Sequence, residues 1–439
     1  MPMTTDQKRA PVFYGWVIVA VSFVTLGLAY GVRYCFSVFY VAILNEFGWP
    51  RGTTATILSS HLMVYALGAP LAGGLMDRYG PRKIFPIGGA LIGLGLIVCS
   101  TATTIVEFIL YFGIVAGLGV SFLGTTPHSP VLANWFVKNK GLGMGFALSG
   151  VGCSFMLGMP SQWSISRFGW RASYVITGLV VMLIVIPLTA IFQRSRPEDK
   201  GLLPDGKDFL PPVGDGRANK EVIQDALVVD KEWAATEWTL GRAVRTHRFW
   251  ALCCFNFLSG LALMSVVTHQ VRFAVDVGFS KMVAASAFGL YGVASLVGHA
   301  FGFVSDRIGR EWACSLGSAG VVLAALTLLQ LDNAYQFWML YLYAILFGWG
   351  MGLIAIIFYT SAADIFYGKH LGSIVGLIIT SLGVGLAIGP WFAGFIHDVT
   401  GTYRIAFVVA IIATVFSCFW LWIAAPRKVR LVAGKMKKE

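Results

Sequence analysis

Charge is scarce in this sequence. Asp, Glu, Lys and Arg make up 12% of its 439 residues, about half the share of a soluble domain, which excludes a large water-facing surface. Carboxylates are missing from its apolar runs: Glu46, Asp77, Glu107, Asp276, Asp306, Asp332, Asp364 and Asp398 all fall at or beyond the ends of those runs. A carrier exchanging organic cations for protons needs a carboxylate deep among its helices, so that class is disfavoured. No G-x-x-x-x-G-K-[ST] stretch occurs, which removes ATP as the direct energy source. The seven cysteines, at 35, 99, 153, 253, 254, 314 and 418, lie inside apolar runs without metal-ligand spacing, so they read as small apolar residues. No nucleophile–base set is evident, and neither metal, cofactor nor enzymatic activity is implied.

What the chain has in quantity is hydrophobicity, at 57% of residues with a mean hydropathy of +0.74. Runs long enough to cross a ~30 Å hydrocarbon core are expected near 14–43, 52–75, 84–102, 106–133, 139–162, 171–192, 247–274, 281–303, 311–331, 335–357, 370–394 and 402–424. They lack the period-2 alternation of membrane barrels, and in hydrocarbon every backbone polar group needs an internal partner. The fold class expected is all-α, with twelve membrane-spanning helices. The first run begins on Tyr14-Gly15-Trp16 and is read as a span, not a cleaved signal peptide. The formal charge of +12 is a matter of topology here, not of nucleic acid. Outside the central loop, sixteen basic residues fall on one side, among them Arg78, Arg82, Lys83, Arg307, Arg310 and Arg427, against six on the other. The positive-inside rule then puts both termini in the cytoplasm.

The sequence is written twice. Gly73-Gly74-Leu75-Met76-Asp77-Arg78-Tyr79-Gly80-Pro81-Arg82-Lys83 follows the second run, and Gly302-Phe303-Val304-Ser305-Asp306-Arg307-Ile308-Gly309-Arg310 follows the eighth, their aspartates 229 residues apart. Trp135-Phe136 is echoed by Ile365-Phe366, and Gly169-Trp170-Arg171 by Thr402-Tyr403-Arg404. Landmarks in one order at offsets near 230 indicate a duplicated six-helix unit. The expected division is 1–192 and 247–439, two pseudo-symmetric bundles, joined by a polar cytoplasmic linker at 193–246 with a short amphipathic helix at 239–248. Helices four, five, ten and eleven are rich in glycine, which suits close, sliding contacts between two rocking bundles.

The loop after helix two, with its second copy, resembles the signature of the major facilitator superfamily. That resemblance implies a gating role for Asp77, Arg78 and Arg82, and for Asp306, Arg307 and Arg310. Within the superfamily the chain resembles the monocarboxylate transporter family, including its bacterial branch near the oxalate–formate antiporters. The residues carrying this are Gly31-Val32-Arg33-Tyr34, Val38-Phe39-Tyr40, Glu46-Phe47-Gly48-Trp49 with Arg51, Trp135-Phe136, Gly169-Trp170-Arg171, the 196–206 stretch and Phe249-Trp250. The chain departs from it in helix eight, where Ser295 and His299 stand near an expected aspartate and arginine. It departs again in helix eleven, where Thr380-Ser381-Leu382-Gly383 holds no lysine.

Arg33 is the one basic residue placed well within a span, where an arginine costs about 2.5–3.5 kcal/mol and must face protein or water. Tyr30, Arg33, Tyr34 and Ser37 share a helical face, offering a guanidinium that can grip a carboxylate through two N–H···O bonds. The alternative is an arginine snorkelling to the headgroups. His128, His269 and His299 also fall in spans. The resemblance implies a place near the substrate for His269, and His299 with Ser295 completes the expected set. The function expected is secondary transport of a small organic monocarboxylate, lactate- or pyruvate-like, by alternating access. Proton symport is the first choice of coupling. Exchange of organic anions, or a sensor that kept the carrier fold, are the alternatives. The expected setting is the bacterial cytoplasmic membrane, with lipid around a chain working as a monomer.

Overall fold

The computed structural model describes residues 13–136, 140–202, 228–367 and 370–432; the side chains of Asp77, Lys140 and Gly141 lie outside what is described. Among these residues the chain is helical throughout, apart from one isolated bridge between Val228 and Arg430. Eleven stretches are long and apolar enough to cross a membrane. One of them, Leu142–Phe192, contains Gly169 at φ 78°, ψ 164°, a conformation no helix can contain. It is two crossings, and the described residues therefore form twelve: α1 Tyr14–Phe47, α2 Arg51–Tyr79, α3 Pro81–Cys99, α4 Ile105–Trp135, α5 140–168, α6 170–192, α7 His247–Asp276, α8 Lys281–Ile308, α9 Arg310–Leu329, α10 Phe337–Ile365, α11 Leu371–Thr400 and α12 Arg404–Ala424.

The tight junctions depend on glycine. Gly80, Gly169 and Gly309 each join two helices through a single residue with φ between 76° and 101° and ψ between 155° and 164°, a region that only glycine occupies without strain. Gly80 and Gly309 stand at the same offset as the two aspartates. The duplication in sequence is thus a duplication of turn geometry.

Packing repeats as well. In the first half α1 lies on α5, α3 on α6 and on α4, and α2 on α4; in the second α7 lies on α11, α9 on α12 and on α10, and α8 on α10. Each pair maps onto its counterpart six helices later. Between the halves α2 meets α11, α5 meets α8, and α1 meets α7. The linker helix is shorter than expected: Thr239 caps Leu240–Ala243, and α7 starts anew at His247 behind a Thr246 cap. Two helices expected to be continuous are not. The ladder of α4 widens to π over Ile109–Ala116 and is interrupted at Gly124, and α5 tightens to 3₁₀ over Ser154–Leu157.

The start of α1 and the end of α12 define a terminal face; the opposite one is the far face. The halves are joined toward the far face. Arg51 pairs with Asp276 at 2.5 Å, Arg272 donates to Asn45 at 2.6 Å, and Asp398 accepts from the backbone N–H groups of Arg51 and Gly52 at 2.8 and 2.7 Å. Toward the terminal face, a Cβ built on Gly73, Gly74, Gly145, Gly372 or Gly376 meets nothing within 4 Å. No described hydrogen bond or ion pair crosses between the halves there. The molecule is sealed on the far face and parted on the terminal face.

Candidate functional site

Arg33 sits about 28 Å along α1 from Tyr14 and about 21 Å from Phe47, at 1.5 Å per residue. It is 3% exposed and does not reach either end of the helix, which rules against the snorkelling reading in this conformation. Its guanidinium carbon lies 3.9 Å from the ring centre of Tyr65 on α2 and 4.6 Å from that of Tyr30. The two tyrosine hydroxyls hydrogen-bond each other at 2.8 Å. Both rings attract the cation, but they supply no acceptor for its N–H groups. Nε and Nη2 have no hydrogen-bond partner, and among the described residues no carboxylate pairs with Arg33. A buried donor left unmade costs about 1–3 kcal/mol, more when charged. Two buried guanidinium donors are thus left without an acceptor.

The surrounding wall comes from both halves. Tyr34 stacks on Phe155 of α5 at 4.1 Å, and Phe155 meets Tyr291 of α8 edge-on at 4.6 Å. Tyr359 of α10 comes within electrostatic range of the Tyr34 and Tyr65 hydroxyls, yet is 51% exposed. A side chain that is central and still half exposed lines an open space between the halves. His299, whose Nδ1 bonds the Ser295 carbonyl at 2.7 Å, is exposed on α8 nearer the terminal face.

Other residues expected at the site are engaged elsewhere. Ser37 donates to the Val267 carbonyl at 2.7 Å and ties α1 to α7. His269 is fully buried between α7, α11 and α12, with Nε2 on the Pro390 carbonyl at 2.8 Å and Nδ1 against the Tyr403 hydroxyl at 3.1 Å. Both ring nitrogens are satisfied, and the structure does not bring His269 to Arg33. His128 is a packing residue between Thr25 and the Gly124 carbonyl, stacked on Phe85.

Of the residues expected to gate, Asp77 lies outside the described side chains, and the others stay within their own halves. Arg82 donates to the Ala190 carbonyl at 2.8 Å, Arg78 lies over Tyr79, and Arg307 over Phe303. Arg310 binds Asp306 at 2.6 Å and Asp364 at 2.8 Å.

Sequence reasoning passed over Tyr65, His61, Phe155 and Tyr359. His61 and Tyr65 are four residues apart on α2, a helical spacing that was available as a signal. The far-face residues Asp276 and Asp398 were noted only as helix-end carboxylates.

Comparison with known proteins gives the family. Monocarboxylate transporter 2 of Meriones unguiculatus is 25% identical over 432 residues, covering 97% of this chain and 87% of that protein. Monocarboxylate transporter 12 of Rattus norvegicus is 27% identical over 449 residues, covering 97% and 87%. Among solved structures, a bacterial homologue of the human lysosomal transporter Spinster, in an inward-facing and occupied conformation, superposes with a TM-score of 0.66 at 15% identity, over 94% of this chain and 97% of that one. Residues 22–333 and 274–438 match the Major Facilitator Superfamily, and with its twelve helices packed as a duplicated six, the chain belongs to that superfamily of membrane transporters.

Proposed function

We propose that this protein carries a small organic monocarboxylate, of the lactate or pyruvate kind, by alternating access, with Arg33 as the anion's principal ligand. The observation that carries the reading is the Arg33 guanidinium, buried at mid-helix with Nε and Nη2 unpartnered and no described carboxylate beside it. The similarity to monocarboxylate transporters over 97% of the chain supports the substrate class. In this reading the terminal face, where the basic residues gather, is cytoplasmic, and the conformation described is open to the inside. Tyr30 and Tyr65 hold the guanidinium in place, and Tyr34 and Tyr359 bound the space before it. The chain serves as a monomer in the cytoplasmic membrane of a bacterium. The two halves correspond to 1–192 and 247–439.

A bound carboxylate would take two parallel N–H···O bonds from Arg33 in a largely dry setting. Truncating such a partner costs roughly 2–5 kcal/mol, more than tenfold in affinity. Arg33→Ala is expected to weaken lactate and pyruvate binding by that much in calorimetry, with an unchanged size-exclusion profile. Arg33→Lys keeps the charge without the fork and should fall between. A folded Arg33→Ala protein binding like wild type would overturn the assignment.

A further inference from the structure

A second buried group beside Arg33 is left unpartnered, and it is an acceptor. His61 on α2 is wholly buried, and its Nδ1 lies 3.0 Å from the Phe112 carbonyl oxygen. A carbonyl only accepts, so Nδ1 carries the hydrogen and Nε2 presents a bare lone pair. That lone pair has no partner. The Phe112 carbonyl belongs to the π-helical stretch of α4, a kind of irregularity that is frequent at functional sites. The contact is close-packed: a Cβ on Gly113 would come within 2.1 Å of Ser60 Oγ, and one on Gly117 within 3.2 Å of the His61 carbonyl.

His61 lies one turn before Tyr65 on the same face of α2, and Tyr65 is the ring against which Arg33 rests. It is near enough to feel the Arg33 charge. Tyr65 is the next titratable group on its own helix, and beyond it Tyr30 and Tyr34 of α1 stand around Arg33. Residues 112–123 of α4 and 371–396 of α11 contribute none. The local electrostatics are therefore those of one fixed cation and one neutral base.

We propose that His61 is the proton site of the carrier, its Nε2 taking up a proton when an anion occupies Arg33. This rests on the reading of Arg33 as the anion ligand. With the site empty, a proton on His61 would place two like charges together in a medium that screens them weakly. A carboxylate on Arg33 cancels the first charge and draws the second. The proton comes from a hydronium ion of the entering solvent: its O–H bond breaks, leaving water, an N–H bond forms at Nε2, and with one anion and one proton added the net charge of the site is unchanged. Anion and proton thus enter and leave together, which is symport without a buried carboxylate.

The test uses the full chain in two settings. In proteoliposomes, lactate uptake driven by an inward acid gradient is compared with exchange of external for preloaded lactate. His61→Gln is expected to lose gradient-driven uptake by about tenfold or more, about 1.4 kcal/mol, while exchange stays within about threefold. In detergent, lactate titrations of wild type in buffers of different ionisation heat should show close to one proton taken up per anion, and His61→Gln close to none. Gradient-driven uptake that survives in His61→Gln overturns the proposal. So does a wild-type titration without proton uptake, which stands even if the variant fails to fold. In either case lactate binding that still depends on Arg33 keeps the carrier reading intact. Loss of lactate binding by wild type would sink both.

Discussion

The duplication sets two seams side by side that are built on one plan and filled with different chemistry. Symmetry relates α2 against α11 to α5 against α8. In the first, Gly52 and Gly394 cross backbone to backbone: a Cβ on Gly394 would lie 2.7 Å from the Gly52 backbone. Asp398 then closes it by accepting from two N–H groups of α2. In the second the contact is aromatic, with Phe155 against Phe288 and Tyr291 at 5.3 and 4.6 Å, and it carries no ion pair among the described residues. The helix-end acids diverge likewise. Glu46, at the end of α1, binds Trp170 and Arg171 of its own half, whereas Asp276, at the end of α7, pairs across to Arg51. Polar groups of fixed geometry make one seam a clasp that is made or broken. Rings and small residues leave the other able to slide.

The strongest way to break this contrast is Gly394→Ala. The added methyl meets backbone, which cannot swing aside as a side chain does, so the far-face closure is lost. Lactate uptake should fall by more than about tenfold, and a cysteine placed near residue 45 should gain reactivity toward an impermeant thiol reagent. Asp398→Asn comes next. Losing the carboxylate that caps α2 costs about 1–2 kcal/mol, so the balance between far-open and far-closed forms should move about tenfold, read from the same labelling. Gly289→Ala, on the aromatic seam, is the smallest. Its Cβ would sit 3.8 Å from the nearest atom, ordinary contact, and uptake should stay within about twofold, a few tenths of a kcal/mol. Equal damage from Gly394→Ala and Gly289→Ala would erase the distinction between clasp and slide.

The fold was legible because its signals are long and redundant. Twelve apolar runs and three repeated landmarks leave little choice, and Gly80 and Gly309 mark their turns by residue type alone. The breaks inside α4 and α5 were not legible. No proline stands within the π stretch, and the 3₁₀ turn responds to packing against α8, which local sequence does not contain. At the site, Arg33 and Tyr30 declared themselves through the price of burying a cation and through helical spacing. His269 was placed near the substrate by resemblance, and only the fold shows its two partners, Tyr403 and Pro390, more than a hundred residues away. His61 looked unremarkable because its distinction is a missing partner, a property of the folded state. Asp364 likewise acquires meaning only when α9 brings Arg310 beside it.

The crossing at Asp398 bears on how α2 is held as a helix. The residue before it, Pro50, supplies no side-chain cap, and the first turn is the costly part of any helix to fix. Here that turn is completed by a carboxylate from the opposite half. When the halves part on the far face, the Arg51 and Gly52 amides return to water and the end of α2 is free to fray. Opening the seam and unwinding that turn are then one event, and the free energy of a helix end becomes part of the barrier between the carrier's two forms.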